Sequence, residues 1–267
     1  MDEPSLLSIR EVSNVYESRS HGLFGRRQRR AVLDKVSLDM RPGEIFGLVG
    51  ESGCGKTTLG RCILGLIDYR GEILIDGLRR ESRSQWRERS GDSPLWDRSC
   101  RCQAVFQDPA AALNPVKRIG WLLEEPLRIH RIGTAAERRK RVDEMLDLVG
   151  LENSCKTRRA RELSVGQKQR AAIGCALMLR PRLLIADEAV SALDVSVGAQ
   201  ILNLFRELND TLSLGILFIS HNVDLVYYLC DRIAVMREGR ILETGAAEEV
   251  YSAPRHPYTK ELLAHNE

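Results

Sequence analysis

The sequence predicts an α/β protein, a three-layer core with an antiparallel β edge and an inserted set of helices. Short apolar runs rich in β-branched residues recur at 33–40, 45–49, 72–75, 104–106, 183–186, 216–220 and 233–236. Those beginning at Ile45, Leu183 and Ile216 are continuously apolar and lead into helical stretches, as parallel strands buried on both faces do. From about residue 108 the period turns helical, through 120–129, 135–149 and 165–179. The first 40 residues and the hairpin between Gly71 and Gly77 supply the antiparallel edge.

A chain of 267 residues suits one large domain or a core carrying a smaller insertion. We read a single domain, with its core at about 1–107 and 181–250, a helical subdomain at about 108–180 and a tail at about 251–267. Residues 79–101 are polar, are broken by Gly91 and Pro94, and read as a surface loop. Hydrophobic residues make up 43% and charged residues 29%, and no run approaches the length of apolar chain that spans a bilayer. The start Met1-Asp2-Glu3-Pro4 lacks the apolar centre of a secretory signal, so the chain is expected in the cytoplasm. A net charge of +3 gives no argument for nucleic acid, and none is expected as a partner. The cluster Arg26-Arg27-Gln28-Arg29-Arg30 reads as a solvated loop, or more sharply as attraction to anionic lipid or to a partner's acids. Seven scattered cysteines read as reduced thiols, and Cys100-Arg101-Cys102 has no second Cys/His pair at zinc spacing.

The chemistry concentrates in one octet. Gly50-Glu51-Ser52-Gly53-Cys54-Gly55-Lys56-Thr57 has the spacing G-x-x-x-x-G-K-[ST], after an apolar strand and before a helical run that opens at Thr58 and extends to Leu66. Glycines let such a loop turn tightly enough for its N–H groups to face a phosphate, and the following helix adds its positive end. Lys56 is then placed to reach the β- and γ-phosphates, and the Thr57 hydroxyl to bind Mg²⁺. Farther on, Leu183-Leu184-Ile185-Ala186 ends in two carboxylates. Beside a phosphate loop, Asp187 fits the holding of Mg²⁺, and Glu188 fits the base that polarises the attacking water.

With Leu163-Ser164-Val165-Gly166-Gln167 some twenty residues ahead of Asp187-Glu188, the chain resembles the ATP-binding cassette transporter ATPases over nearly its whole length. The resemblance implies a P-loop NTPase (RecA-like) core with an antiparallel β subdomain and an inserted α-helical subdomain, binding ATP and Mg²⁺. It implies that Ser164, Gly166 and Gln167 cap the γ-phosphate of ATP held by a second cassette. Ser164 is independently a natural helix N-cap. Val165 stands where the family has its first glycine; a β-branched residue in a first helical turn is sterically tolerable, so a weakened cap is expected. By the same resemblance Gln107 is the residue that touches Mg²⁺ or its water, and 191–194 is the loop that crosses to the other subunit. His221 is then the switch histidine at the γ-phosphate, and Tyr16 the ring that stacks on adenine.

Within that family, the stretches 106–109 and 113–115, and above all His256-Pro257-Tyr258-Thr259-Lys260-Glu261-Leu262-Leu263, are similar to the oligopeptide, dipeptide and nickel uptake group, in its short second ATPase subunit type. The cysteine-bearing extension of longer members has no counterpart here, so no iron–sulfur cluster is expected. The resemblance implies import of peptides or of nickel and other metal chelates. It also implies a second ATPase subunit, two integral membrane permease subunits, a solute-binding protein acting through the complex, and a peripheral place on the cytoplasmic face of the inner membrane. Two other readings stay open. One is a cassette ATPase without transport, although the chain has neither tandem cassettes nor a long coiled coil. The other is a regulatory subunit that binds ATP without hydrolysing it, against which Glu188 and His221 argue.

Overall fold

Alternation of apolar and polar residues folds the N-terminal chain into long strands, and continuous apolar runs later fold into short buried ones. A computed structural model of the chain describes residues 5–19, 27–88 and 100–264. In chain order its strands and helices are β1 (Leu7–Arg19), β2 (Arg27–Met40), β3 (Ile45–Val49), α1 (Lys56–Ile63), β4 (Arg70–Ile75), β5 (Leu78–Arg79), α2 (Arg83–Glu88), β6 (Cys102–Val105), α3 (Pro109–Ala112), α4 (Ile119–Ile129), α5 (Ala135–Leu148), α6 (Val165–Leu177), β7 (Leu183–Asp187), α7 (Val195–Leu212), β8 (Gly215–Ser220), α8 (Val223–Leu229), β9 (Arg232–Arg237), β10 (Arg240–Ala246), α9 (Ala247–Ser252) and α10 (Pro257–Ala264). These group into two units, one built from the described residues up to 88 together with 217–264, the other from 100–216.

In the first unit one sheet has the order β2-β1-β4-β5. β1 is its centre, antiparallel to β2 with Leu7 opposite Met40 and to β4 with Leu7 opposite Ile75. The hairpin from β4 to β5 turns at Asp76-Gly77, both at positive φ, 53° and 74°. Two such residues match the right-handed strand twist. The other sheet of this unit runs β10-β9-β3-β8. β3 is buried at every position and lies parallel to β9, with Val49 opposite Val235, whereas β10 returns antiparallel along β9.

α1 starts at Lys56, two residues earlier than the sequence predicts, and stops at Ile63 rather than running to Leu66. Gly65 sits at φ 70°, and the Gly65 and Leu66 N–H groups fold back onto the carbonyls of Cys62 and Arg61 at 2.9 Å each. That wrap satisfies the last carbonyls and ends the helix. A second correction concerns residues 79–101, expected as a loop. Arg79 closes β5, and 83–88 is the helix α2. Ser82 N–H donates to Gln85 Oε1 at 3.1 Å and Ser84 N–H to the Asp68 carboxylate at 2.6 Å, a helix start signalled by Ser-x-x-Gln. These caps start the helix although its composition is polar. Residues 89–99 lie outside the described residues.

The second unit holds the helical stretch 109–177 followed by β7 and α7. β6 and β7 are parallel, Cys102 opposite Leu183 through Val105 opposite Ala186. α5 opens on a reciprocal cap, Thr134 with Glu137, and α7 on Asp194, whose carboxylate accepts from the Val197 N–H at 2.9 Å. α4 carries its apolar face inward through Ile119, Leu122, Leu123 and Leu127.

Candidate nucleotide site

The phosphate loop lies in the first unit between the carboxyl end of β3 and the start of α1. Its shape requires glycine at its two ends. At Gly50 φ is 152°, and a Cβ there would lie 2.1 Å from the Met236 carbonyl oxygen. At Gly55, the N-cap of α1, φ is 115° and a Cβ would meet the Val32 carbonyl oxygen at 2.9 Å. No side chain therefore fits either place. Because Gly55 offers no side-chain cap, the first-turn N–H groups of α1 depend on some other acceptor. Glu51, Ser52 and Gly53 form the exposed rim, Cys54 and Lys56 are buried, and Thr57 and Thr58 are half-buried in the first turn.

Lys56 is 6% exposed, and its Nζ donates to the Gly50 carbonyl at 2.6 Å and to the Glu51 carbonyl at 2.9 Å. An ammonium has three protons and no acceptor role, so it gathers carbonyls when it is folded under a loop. The charge thus rests on two backbone carbonyls of the loop. Burial pushes the Cys54 thiol above its ordinary value, with Lys56 opposing that shift. Cys54 is thereby a packed neutral thiol; its carbonyl accepts the Gly239 N–H at 2.8 Å, fastening the loop to the β9–β10 turn.

His221 follows Ser220 at the end of β8, next to β3 in the same sheet, and is exposed. The phosphate loop and His221 thus leave the ends of neighbouring strands. Asn222, directly after it, caps α8 through its Oδ1 and the Leu225 N–H at 3.1 Å, which pins the chain where His221 emerges. Tyr16 stands on β1 opposite Arg30; its side chain, like those of 27–30, lies outside the described residues, as does Arg26 altogether.

In the second unit the parallel register brings distant residues to one edge. Val105 is opposite Ala186, so Gln107 and Glu188 each stand two residues beyond a paired position at the same end of adjacent strands. Gln107 is exposed in the bend before α3, whose N-cap Asp108 accepts from the Ala110 N–H at 2.8 Å. Asp187 is the last residue of β7 and only 6% exposed. Glu188 sits at φ 54°, a left-handed conformation that costs a non-glycine residue about 1 kcal/mol or more. The turn is held by Ser191, whose Oγ donates to the Glu188 carbonyl at 2.9 Å.

The signature residues open α6. Ser164 Oγ accepts the Gln167 N–H at 3.2 Å and Gln167 Oε1 accepts the Ser164 N–H at 3.1 Å, a reciprocal cap. Val165 is the first helical residue, 52% exposed, so its branched side chain meets no barrier there. Gly166 packs against α7: a Cβ would lie 2.7 Å from Val197 Cγ1. Gly50 through Thr58 and His221 are therefore placed by the first unit, and Gln107, Ser164, Gly166, Gln167, Asp187 and Glu188 by the second. Sequence reasoning missed Tyr258, whose hydroxyl accepts the Glu51 N–H of the phosphate loop at 3.3 Å. Its surrounding motif was legible in the sequence, but its target was not.

The family described as ABC transporter matches residues 33–191. A Brucella ovis protein named a peptide import ATP-binding protein is 45% identical over 271 residues, 99% of this chain and 79% of that protein. A Brucella abortus protein of the same description is 48% identical over 243 residues, 90% of this chain and 70% of its own length. Among solved structures, cbiO1 from Clostridium perfringens, part of the ABC transporter complex cbiONQ, superposes with a TM-score of 0.77 at 27% identity, over 98% of this chain and 100% of that one. The cassette MJ0796, in a dimeric post-hydrolysis state bound to ADP and Pi, does so with a TM-score of 0.74 at 26% identity, over 90% of this chain and 98% of that one. By these matches this chain belongs to the ABC transporter family and is an ATP-binding cassette ATPase of the P-loop NTPase fold.

Proposed function

We propose that the chain is the ATP-hydrolysing subunit of a peptide importer. The observation that carries the nucleotide half of this reading is Lys56, buried beneath the loop with its ammonium on the Gly50 and Glu51 carbonyls. Support for peptides comes from relatives named for peptide import at 45% and 48% identity, which favours peptides over nickel or other metal chelates as cargo. Residues 50–58 bind the phosphates of ATP, and Lys56 holds the β- and γ-phosphate oxygens. Tyr16 stacks on adenine. Thr57, Gln107 and Asp187 would hold Mg²⁺, a donor set of hydroxyl, amide and carboxylate oxygens that suits this hard ion, which neutralises charge on the phosphate oxygens. Glu188 takes a proton from the attacking water as its oxygen bonds to the γ-phosphorus, and His221 donates to the γ-phosphate as the bond to ADP breaks.

Ser164, Gly166 and Gln167 cap the ATP of a second cassette, so that two nucleotides join two cassettes. The helices between 108 and 180 are the arm through which this closure presses on two membrane permease subunits, which receive peptide from a solute-binding protein. The chain takes a peripheral place on the cytoplasmic face through these permease subunits; among the described residues no helix is long and apolar enough to cross a membrane. Reconstitution with the membrane subunits tests the reading. ATP turnover should rise when the peptide-loaded binding protein is added, and stimulation by nickel chelate alone, or none by peptide, would overturn it.

A further inference from the structure

The motif at 256–259 has no part in the chemistry described above, yet each of its residues is placed for a reason. Pro257 is the first residue of α10, where a missing N–H costs nothing. His256 caps that helix: its Nδ1 accepts the Tyr258 N–H at 3.1 Å. The Glu243 carboxylate on β10 accepts the Arg255 N–H at 2.8 Å and the His256 N–H at 3.0 Å, fixing where the helix begins. Thr259 is 1% exposed and Tyr258 only 2%. The Arg237 guanidinium, at the end of β9, lies over the Tyr258 ring 4.5 Å from its centre.

All of this delivers one hydroxyl to the phosphate loop. The Glu51 backbone is held from both sides: its N–H donates to the Tyr258 oxygen at 3.3 Å, and its carbonyl accepts Lys56 Nζ at 2.9 Å and the Cys54 N–H at 3.3 Å. Burial pushes the Tyr258 phenol above its ordinary value, so the oxygen is a neutral hydroxyl. A phenol buried around its ring, with its oxygen on a backbone amide 207 residues away in the chain, constrains that amide in a way a solvent water does not.

We propose that Tyr258 is a positioning residue for the phosphate loop, holding the Glu51 backbone in the conformation on which Lys56 rests and tying nucleotide binding to the C-terminal helix. This rests on the nucleotide reading of residues 50–58. The motif at 256–259 then has a defined job: a capped helix start that aims a tyrosine at the loop.

The test is Tyr258→Phe, which removes the oxygen and keeps the ring beneath Arg237. On the full chain, hydrogen exchange in a peptide covering 46–56 should quicken by about twofold to tenfold, the size of one hydrogen bond. The dissociation constant for mant-ATP with Mg²⁺, measured well below the melting transition, should weaken by a similar factor of roughly two to ten. The melting temperature should stay close to that of the wild type. Unchanged exchange in that peptide overturns the proposal, as does a lowered melting temperature with nucleotide affinity intact, the mark of a purely structural tyrosine. A wild-type chain that fails to bind mant-ATP sinks the nucleotide reading instead, while the exchange measurement still decides whether Tyr258 holds the loop.

Discussion

Single atoms set the terms at the loop and at the carboxylate pair. Glu188 is held in a left-handed backbone conformation that glutamine tolerates as well as glutamate does, so Glu188→Gln changes the chemistry and not the turn. In the assembled complex we expect ATP turnover to fall by roughly 10² to 10⁴. ATP affinity should be retained, and near-normal phosphate release would remove Glu188 from its role. Gly50→Ala acts in the opposite way. The added Cβ falls 2.1 Å from the Met236 carbonyl, a backbone atom that has no rotamer to yield. The loop must deform, and equilibrium binding of mant-ATP should weaken at least tenfold; unchanged affinity would show that β9 gives way instead.

Elements place these atoms, and their ends are where the sequence is most readable. Ser164 is a cap, so Ser164→Ala should destabilise the start of α6 by about 1 kcal/mol, seen as faster amide exchange over 165–168. Val165→Gly separates fold from function at the same place. The side chain is 52% exposed in the first turn, so its removal relieves no clash in this chain. ATP turnover of the assembled complex should rise or hold, and a large loss would contradict the steric argument. The strands from 45, 183 and 216 were legible because continuous apolar runs of that length have few other fates. α2 was not, since its composition is polar and its start depends on Asp68, sixteen residues before the Ser84 amide that it accepts. α1 ended early for a local reason, Gly65 at positive φ, which a residue-by-residue reading of helix stops identifies.

At the scale of the whole molecule, the first unit is assembled from two stretches separated by residues 100–216. β3 and β9 join them, and the Arg232 guanidinium locks the joint on Glu44 at 3.0 Å, where the Glu44 side chain is only 5% exposed. Arg232 also lies over the Phe46 ring at 5.2 Å. Arg232→Leu leaves a buried carboxylate without its cation, and we expect a loss of about 3 kcal/mol or more, visible as a thermal transition lower by several degrees. A shift under one degree would show that the pair contributes no more than a surface contact does. The sequence alone determined the phosphate loop, the strand that ends in two carboxylates and the capped signature, because each is a short pattern whose spacing is its chemistry. Only the tertiary structure decided that Gln107 shares a strand edge with Glu188 and that Tyr258 reaches Glu51. Those meetings arise from strand register and helix docking between residues far apart in the chain, and no local pattern encodes which distant partner a strand or helix will find.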